Sequence, residues 1–560
     1  METGDLISRV YGNFRGVDFR GEEINIVRSP DALNVWKDYK EIDSIRTRPE
    51  TELHTATQRP VYGLFQYKGN IIVHIDDGLF KLSDGATTVL IEGLNEAPSQ
   101  GFVYEDIFYF KDGSVYLQYD GETCKHVEGY IPTTTIARKP MGGGTKYEDV
   151  NMMSDYRINS FLSDGVAFTY FLDVMNIDSD YIPVVTVNDE VVSAEDYTVD
   201  YLEGKITFNN FAPDAPLTDG QDNVTIQFKK AVPKYKDCIQ KCTLLQVFDN
   251  RVFFSGNPDY PHLVWHCSLN DPSYISDLDY YKEGMDDAKV TGMVAGNNAL
   301  WVFREPSEAN TTIFYHTPST DDEYGKIFPS VHSSISTGCI GKAVNFNDDI
   351  VFFSHRGMEG ISGDVTTEQV VAHRSSLVDR KLTTEGAYRD MVLAEWEGYL
   401  FVFIGNHVYL ADSRAMFQNE NHTEYEWFYW ELGINVNCAM VADGVLYLGT
   451  DNGVYTLTDT DADVESYWVT PKDKFKSPHK LKTTNKRGCV AEATGDISVY
   501  AKVEDTGFEL VGTFTNVTDY FVGRIKRKKF KDIQLKFHTT TRFSLETVTL
   551  EAWIGGYIKR

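Results

Sequence analysis

From Val61 to Ser83 the chain reads VYGLFQYKGNIIVHIDDGLFKLS. A strand-like run ends at Lys68-Gly69, an apolar, β-branched run follows from Asn70 to Ile75, and a third starts after Asp76-Asp77-Gly78. Alternating and β-branched residues between such turns predict short antiparallel strands. Gly after Lys or Asp supplies the positive φ of a tight hairpin turn. A lone meander of three or four strands cannot bury its own face, so the unit has to repeat.

Six further stretches carry the same pattern. They run Phe102–Tyr119, Leu245–Trp265, Thr291–Phe303, Lys342–Phe353, Met391–Leu410 and Cys438–Leu457. Each has an apolar strand, an acidic, Asn or Gly turn, and a stronger strand rich in Val, Phe, Tyr and Trp. Outside one large gap the spacing is roughly 37 to 52 residues, the length of a four-stranded propeller blade. The expected fold is all-β: a β-propeller of about seven blades. Stacked sandwiches also place short strands between turns, but regular spacing favours the propeller.

The large gap is filled by residues of different texture, from about 151 to 231. PVVTVNDEVV (Pro183–Val192) and YTVDYLEGKITF (Tyr197–Phe208) read as hairpins, and NVTIQFK (Asn223–Lys229) as a strand. They predict a small β-sandwich inserted in a propeller loop. From Val464 a basic, turn-rich stretch leads into alternating segments at Ile497–Lys502, Phe508–Phe514, Phe530–Phe537 and Phe543–Ala552, a C-terminal β-sandwich. The expected domains are an N-terminal arm (1–60), the propeller (61–150 and 232–463), the module (151–231) and the C-terminal domain (464–560). The arm includes Ser29-Pro30-Asp31, a turn and the start of a helix, and is placed to close the ring or to reach a neighbour.

Charge changes the picture. The net charge is −30 over 560 residues. From Val464 onward 18 Lys+Arg face 11 Asp+Glu, a surplus of seven positive charges that leaves −37 on the remainder. An acidic body argues against general nucleic-acid binding, and a basic tail suggests a separate partner surface. Its densest part is Lys526, Arg527, Lys528 and Lys529, expected to dock on an acidic neighbour or to be a solvated edge strand kept from aggregating by its charges, ahead of contact with phosphates. The seven cysteines are scattered beside apolar strands and read as buried free thiols made in a reducing compartment. METGDLISRV lacks the apolar core of a signal peptide, and no stretch reaches the ~18 apolar residues of a membrane span.

Candidate chemistry is thin. Asp459, Asp461 and Asp463 have calcium-loop spacing, but Val464 stands at the Gly position and Thr470 where a bidentate Glu belongs. Cys238, Cys242, His266 and Cys267 contain no Cys-x-x-Cys pair, so a zinc site is not expected. The Gly-rich loop Pro140–Thr145 is not followed by Lys-Ser/Thr and is no phosphate loop. Zinc-protease and nucleophile-elbow signatures are absent. The turn acids Asp76, Asp348 and Asp349 read as turn formers, and no Ser-x-Asp-x-Gly-x-x-Trp box marks a sialidase. No catalytic, cofactor-binding or metal-binding residue is expected.

Three stretches together resemble a viral family. FRGVDFRG (Phe14–Gly21), SPDALNVWKDYKE (Ser29–Glu41) and IRTRPE (Ile45–Glu50) are similar to the opening of tailed-bacteriophage tail nozzle and packaged-DNA stabilisation proteins. DNRVFFSGNPDYPHLVWHCSLNDPSYI (Asp249–Ile275) resembles a blade of that group, and Val184–Phe208 resembles small modules of phage tail proteins. The resemblance implies a non-enzymatic virion subunit, made in the host cytoplasm, that assembles into a ring, commonly of six. Its implied partners are its own copies, portal, adaptor or other tail proteins, and double-stranded DNA sliding through the channel. The alternatives are a receptor-binding or glycan-cleaving tail propeller and a non-viral scaffold for protein partners.

Overall fold

The structure, a computed structural model, describes residues 5–39, 44–83, 86–321, 325–362, 370–419, 422–526 and 529–557. The chain is all-β, a β-propeller with two β-sandwich elements. Among the described residues, seven sheets are four-stranded, and each of the seven repeated units supplies one of them. The chain divides into two compact units, residues 1–89 with 333–560, and residues 90–332.

One local device recurs in every blade. The first two strands are joined by a two-residue turn with both residues at positive φ: Lys68-Gly69, Glu105-Asp106, Asp249-Asn250, Asn297-Asn298, Asn347-Asp348, Glu397-Gly398 and Asp443-Gly444. That geometry is the type I′ turn, whose twist matches the strands it joins. Asn and Asp tolerate the left-handed region because their short polar side chains bond locally, so they can replace Gly. The second strand of each blade is the most buried. Arg251–Ser255, Ala299–Arg304 and Tyr399–Ile404 are buried at every position. Being covered on both faces, they read as continuous apolar runs and not as alternation.

In the first unit the last blade is completed from the other end of the chain. Pro49–Ala56 pairs antiparallel with Gly453–Asp461 as its fourth strand. The first blade packs on that last one, with Val61, Leu64, Val73 and Leu82 sharing a core with Val454. The two middle blades are tied by a partly buried polar contact. Asp349 accepts hydrogen bonds from Arg374 Nε at 2.7 Å and Tyr425 OH at 3.0 Å. Asp349 is thus a tie between blades, where the sequence suggested only a turn former.

The C-terminal residues form a sheet folded into two layers. Its spine is the 24-residue strand Lys480–Val503. Up to Gly495 this strand pairs with Phe543–Tyr557, and beyond it with Ile533–Thr539. A strand that changes partners in this way forms the corner of a sandwich. The N-terminal residues are no free arm. Leu6–Gly12 pairs with Phe543–Tyr557, Ala32–Leu33 with Ser466–Val469, and Ile45–Thr47 with Ser544 and Leu545. No helix starts at Pro30, because Ser29 Oγ takes the Asp31 amide and the next residues join the sheet.

In the second unit the inserted module starts before residue 151. Thr133–Arg138 lies parallel to Tyr156–Phe161, and Thr145–Lys146 folds back on it. Pro140–Thr145 is therefore the bend of a module hairpin. The sandwich core is Phe161, Tyr170, Val185, Ile206, Ile226 and Phe228, all buried. No described helix is long and apolar enough to cross a membrane.

The same unit holds a carboxyl at the wrong end of its usual range. Burial pushes Asp279 up to about 6, the Asp149 charge adds to the push, and Arg251 opposes it. The unfolded value is about 3.9, so the folded chain holds this proton more tightly, and the stability it contributes is lost as pH rises through about 4 to 6. Asp279→Asn should therefore raise the thermal midpoint more at pH 7 than at pH 4.5. An equal shift at both values would show that Asp279 is not the titrating group.

Candidate functional site

The N-terminal stretches Phe14–Gly21, Ser29–Trp36 and Ile45–Arg48 converge on one strap in the first unit. Its described residues, 13–39 and 44–48, run between the blade strand His422–Glu431 and the C-terminal sheet. Gly16–Val17 pairs parallel with Arg28–Ser29. Gly16 sits at φ 132°, and a Cβ there would lie 2.0 Å from the Trp427 carbonyl oxygen. Only glycine fits that approach.

Asn34 is the knot. Its amide donates to the Tyr429 carbonyl at 3.1 Å, and its carbonyl accepts from the Arg48 amide at 2.9 Å. Its side-chain oxygen accepts the Glu431 amide at 2.8 Å, and its side-chain nitrogen donates to the Glu465 carbonyl at 2.9 Å. Nearby, Ser29 Oγ donates to the Val469 carbonyl at 2.7 Å. Trp430 Nε1 donates to the Val35 carbonyl at 3.1 Å, and Trp36 lies stacked over Trp396. The motif residues are thus buried structural locks.

The strap walls a cleft of about 480 Å3 lined by Asn13, Arg15, Arg20, Asn25, Arg28 and Phe417, among others. Arg28 grips Glu426 through two hydrogen bonds of 2.7 Å and lies 4.2 Å above the Phe417 ring. Arg15 stands 3.8 Å from the same carboxylate. Burial pushes Glu426 up, and the Arg28 contact pulls it back. Arg20 forks onto Asp18 at 2.9 and 2.8 Å, a contact that raises its own already high value. The lining residues are Asn, Gln, Arg, Val and Phe, which offer neither nucleophile nor general base. Their chemistry is hydrogen bonding and charge, suited to holding this corner or an acidic group. The sequence carried one signal of it, the doubled Phe-Arg-Gly at Phe14–Gly16 and Phe19–Gly21.

The other sequence candidates fall elsewhere. Lys526 and Lys529 are exposed, and Lys529 pairs with Thr483 at the margin of the C-terminal sheet. Arg527 and Lys528 lie outside the described residues. Asp461 is bound by Arg46 at 2.9 Å, and Asp463 stands 4.0 Å from Arg542. Cys242 Sγ donates to the Cys238 carbonyl, and Cys267 Sγ accepts the Val252 amide. Burial pushes both the Cys242 and Cys267 thiols up to about 12 and His266 down to about 4. Such thiols stay protonated and behave as core residues.

No family model and no curated protein sequence matches the chain. Solved structures match weakly. BamB from Moraxella catarrhalis is 10% identical with a TM-score of 0.31, over 73% of this chain and 97% of that one. Hsv2 from Kluyvelomyces marxianus is 10% identical with a TM-score of 0.26, over 66% and 97%. An exo-beta-1,3-galactanase from Phanerochaete chrysosporium is 9% identical with a TM-score of 0.23, over 55% and 95%. Likeness at this level says nothing about activity.

The strap has a direct test. Gly16→Ala should cost about 3 kcal/mol or more, because the backbone of Trp427 has to move. Gly21→Ala, with nothing within 4 Å of the new methyl, should stay within about 0.5 kcal/mol of the parent. Urea unfolding of both variants makes the comparison. Equal midpoints would mean that the strap does not hold the unit together.

Proposed function

We propose that this chain is a structural virion subunit of a tailed bacteriophage, a tail nozzle or neck protein that forms a ring. The ring extends the DNA channel, retains the packaged genome and lets it leave on ejection. It has no catalytic role. The observation that carries the reading is the N-terminal segment FRGVDFRG…SPDALNVW, which resembles the opening of that family. Its residues have a physical task in this fold, since Gly16, Ser29 and Asn34 lock a blade to the C-terminal sheet.

Charge supports the same reading. Double-stranded DNA is densely anionic, and an acidic wall repels it, so a duplex slides instead of sticking. The first 463 residues carry −37. The surplus of positive charge lies in the C-terminal domain, where Lys526 and Lys529 are free to meet an acidic neighbouring subunit or ring. At ~0.15 M salt such attraction acts over about 8 Å, so it works only at contact.

Negative-stain electron microscopy of the purified full-length protein should show rings with a central hole. Single particles at all concentrations would count against a nozzle. Duplex DNA should not be retained in a shift assay at ~0.15 M salt. A screen on sialosides and bacterial surface glycans should give no turnover. Turnover lost on replacing one Asp or Glu would favour the glycan-cleaving reading instead.

A further inference from the structure

Two exposed surfaces of this chain have complementary chemistry. The first is the outer face of the C-terminal sheet. Residues directly opposite in antiparallel strands point to the same side. Val10 faces Thr549, Thr549 faces Val490, and Val490 faces Val522, an apolar row across four strands. Two rows along on the same side Leu6 faces Trp553, Trp553 faces Thr483, and Thr483 faces Lys529, and in the row between them Glu551 faces Ser8 and accepts the Ser8 hydroxyl and the Asn485 side-chain amide. Val10 is 56% exposed and Trp553 40%. From Tyr520 to Lys526 exposed and buried residues alternate, which sets Val522, Arg524 and Lys526 on the open side. Four strands ~4.8 Å apart and about eight residues long give a face of roughly 500 Å2, polar positions included. Its rim is basic.

The second surface is one end of the inserted module. Residues 162–168 and 209–223 form two loops tied together. Asn223 Nδ2 donates to the Asp214 carbonyl at 2.9 Å, and Asn223 Oδ1 accepts the Ser163 amide at 3.1 Å. The Phe208 amide donates to the Phe168 carbonyl at 2.8 Å, and Phe211 packs on Phe208. Leu217 is fully exposed and Val166 is 74% exposed, with Phe168 and Phe211 also open. The two loops contain Asp164, Asp214, Asp219 and Asp222 and no Lys, Arg or His. The result is a firm apolar knob with an acidic rim.

We propose that the knob of one copy docks on the C-terminal sheet face of the next copy. The proposal rests on the ring reading above and names the contact that builds the ring. Leu217 and Val166 would cover Val10, Val522 and Trp553, while the aspartates meet Arg524, Lys526 and Lys529. Knob and face are different surfaces, so the contact is head-to-tail, and head-to-tail contacts close into rings when the rotation allows. Charge complementarity also opposes the wrong pairings, knob on knob and face on face.

The test uses the full chain and three sets of variants: Val166→Ser with Leu217→Ser; Asp214→Lys with Asp219→Lys; and Lys526→Glu with Lys529→Glu. Circular dichroism checks that each is folded, which their exposed positions favour. Sedimentation velocity should show a ring for the parent and association weakened on the order of tenfold or more for each set. An equimolar mixture of the two charge-reversed sets should recover the ring, because each then offers the surface that the other lacks. If the parent assembles and either charge-reversed set assembles equally well, or if the mixture fails to recover, the knob-and-face contact is wrong while the ring reading stands. If the parent sediments as a monomer, the ring reading falls first and the contact with it.

Discussion

The first unit depends on how the backbone of residues 13–39 and 44–48 finds its hydrogen-bond partners. The strands of this segment are only two or three residues long, yet much of it is buried. Buried amides and carbonyls without partners cost several kcal/mol each, so such a segment survives only where neighbours satisfy it. Asn34 does this on both sides at once, its side chain accepting the Glu431 amide of the blade and donating to the Glu465 carbonyl just before the sheet strand Ser466–Val469. The aromatic cluster around Trp36, Trp396 and Trp430 then excludes water from those bonds. Remove the strap, and the blade strand His422–Glu431 faces the C-terminal sheet across unsatisfied groups.

The blades were legible because the device that makes them is local. A type I′ turn needs two residues at positive φ, and Asn, Asp or Gly there is visible in the sequence. The strong second strands were visible too, as apolar runs. What stayed hidden is non-local. Two-residue strands such as Ala32–Leu33 have no period to detect, so the N-terminal segment looked like an arm. Lys480–Val503 read as basic and turn-rich up to Gly488 because the strand is bulged there, which breaks its alternation. The module began too late in the sequence reading because Thr133–Arg138 pairs in parallel with shifts in register, and its hairpin with Thr145–Lys146 is only two residue pairs long.

The same division holds for the candidate site. Arg15, Arg20 and Arg28 are close in sequence, and their doubled Phe-Arg-Gly could have been noticed. Glu426 and Phe417, the partners of Arg15 and Arg28, lie about 400 residues away, and nothing in a single sequence connects them. The Lys526 run was visible as charge. That Lys529 shares a row with Trp553 needs the register of three strands, which only the fold supplies.

The strand Pro49–Ala56 bears on how this protein is made. It leaves the ribosome early, but its partner, Gly453–Asp461, emerges about 400 residues later. At 5–20 residues per second the wait is on the order of 20 to 80 s. Through that time an unpaired strand and the buried faces around it are open to other chains. Many nascent copies translated together would meet each other in this state, with edges that can add strands to the wrong partner. High yield then depends on keeping growing chains apart, so slower translation or bound chaperones should matter more for this fold than its final stability.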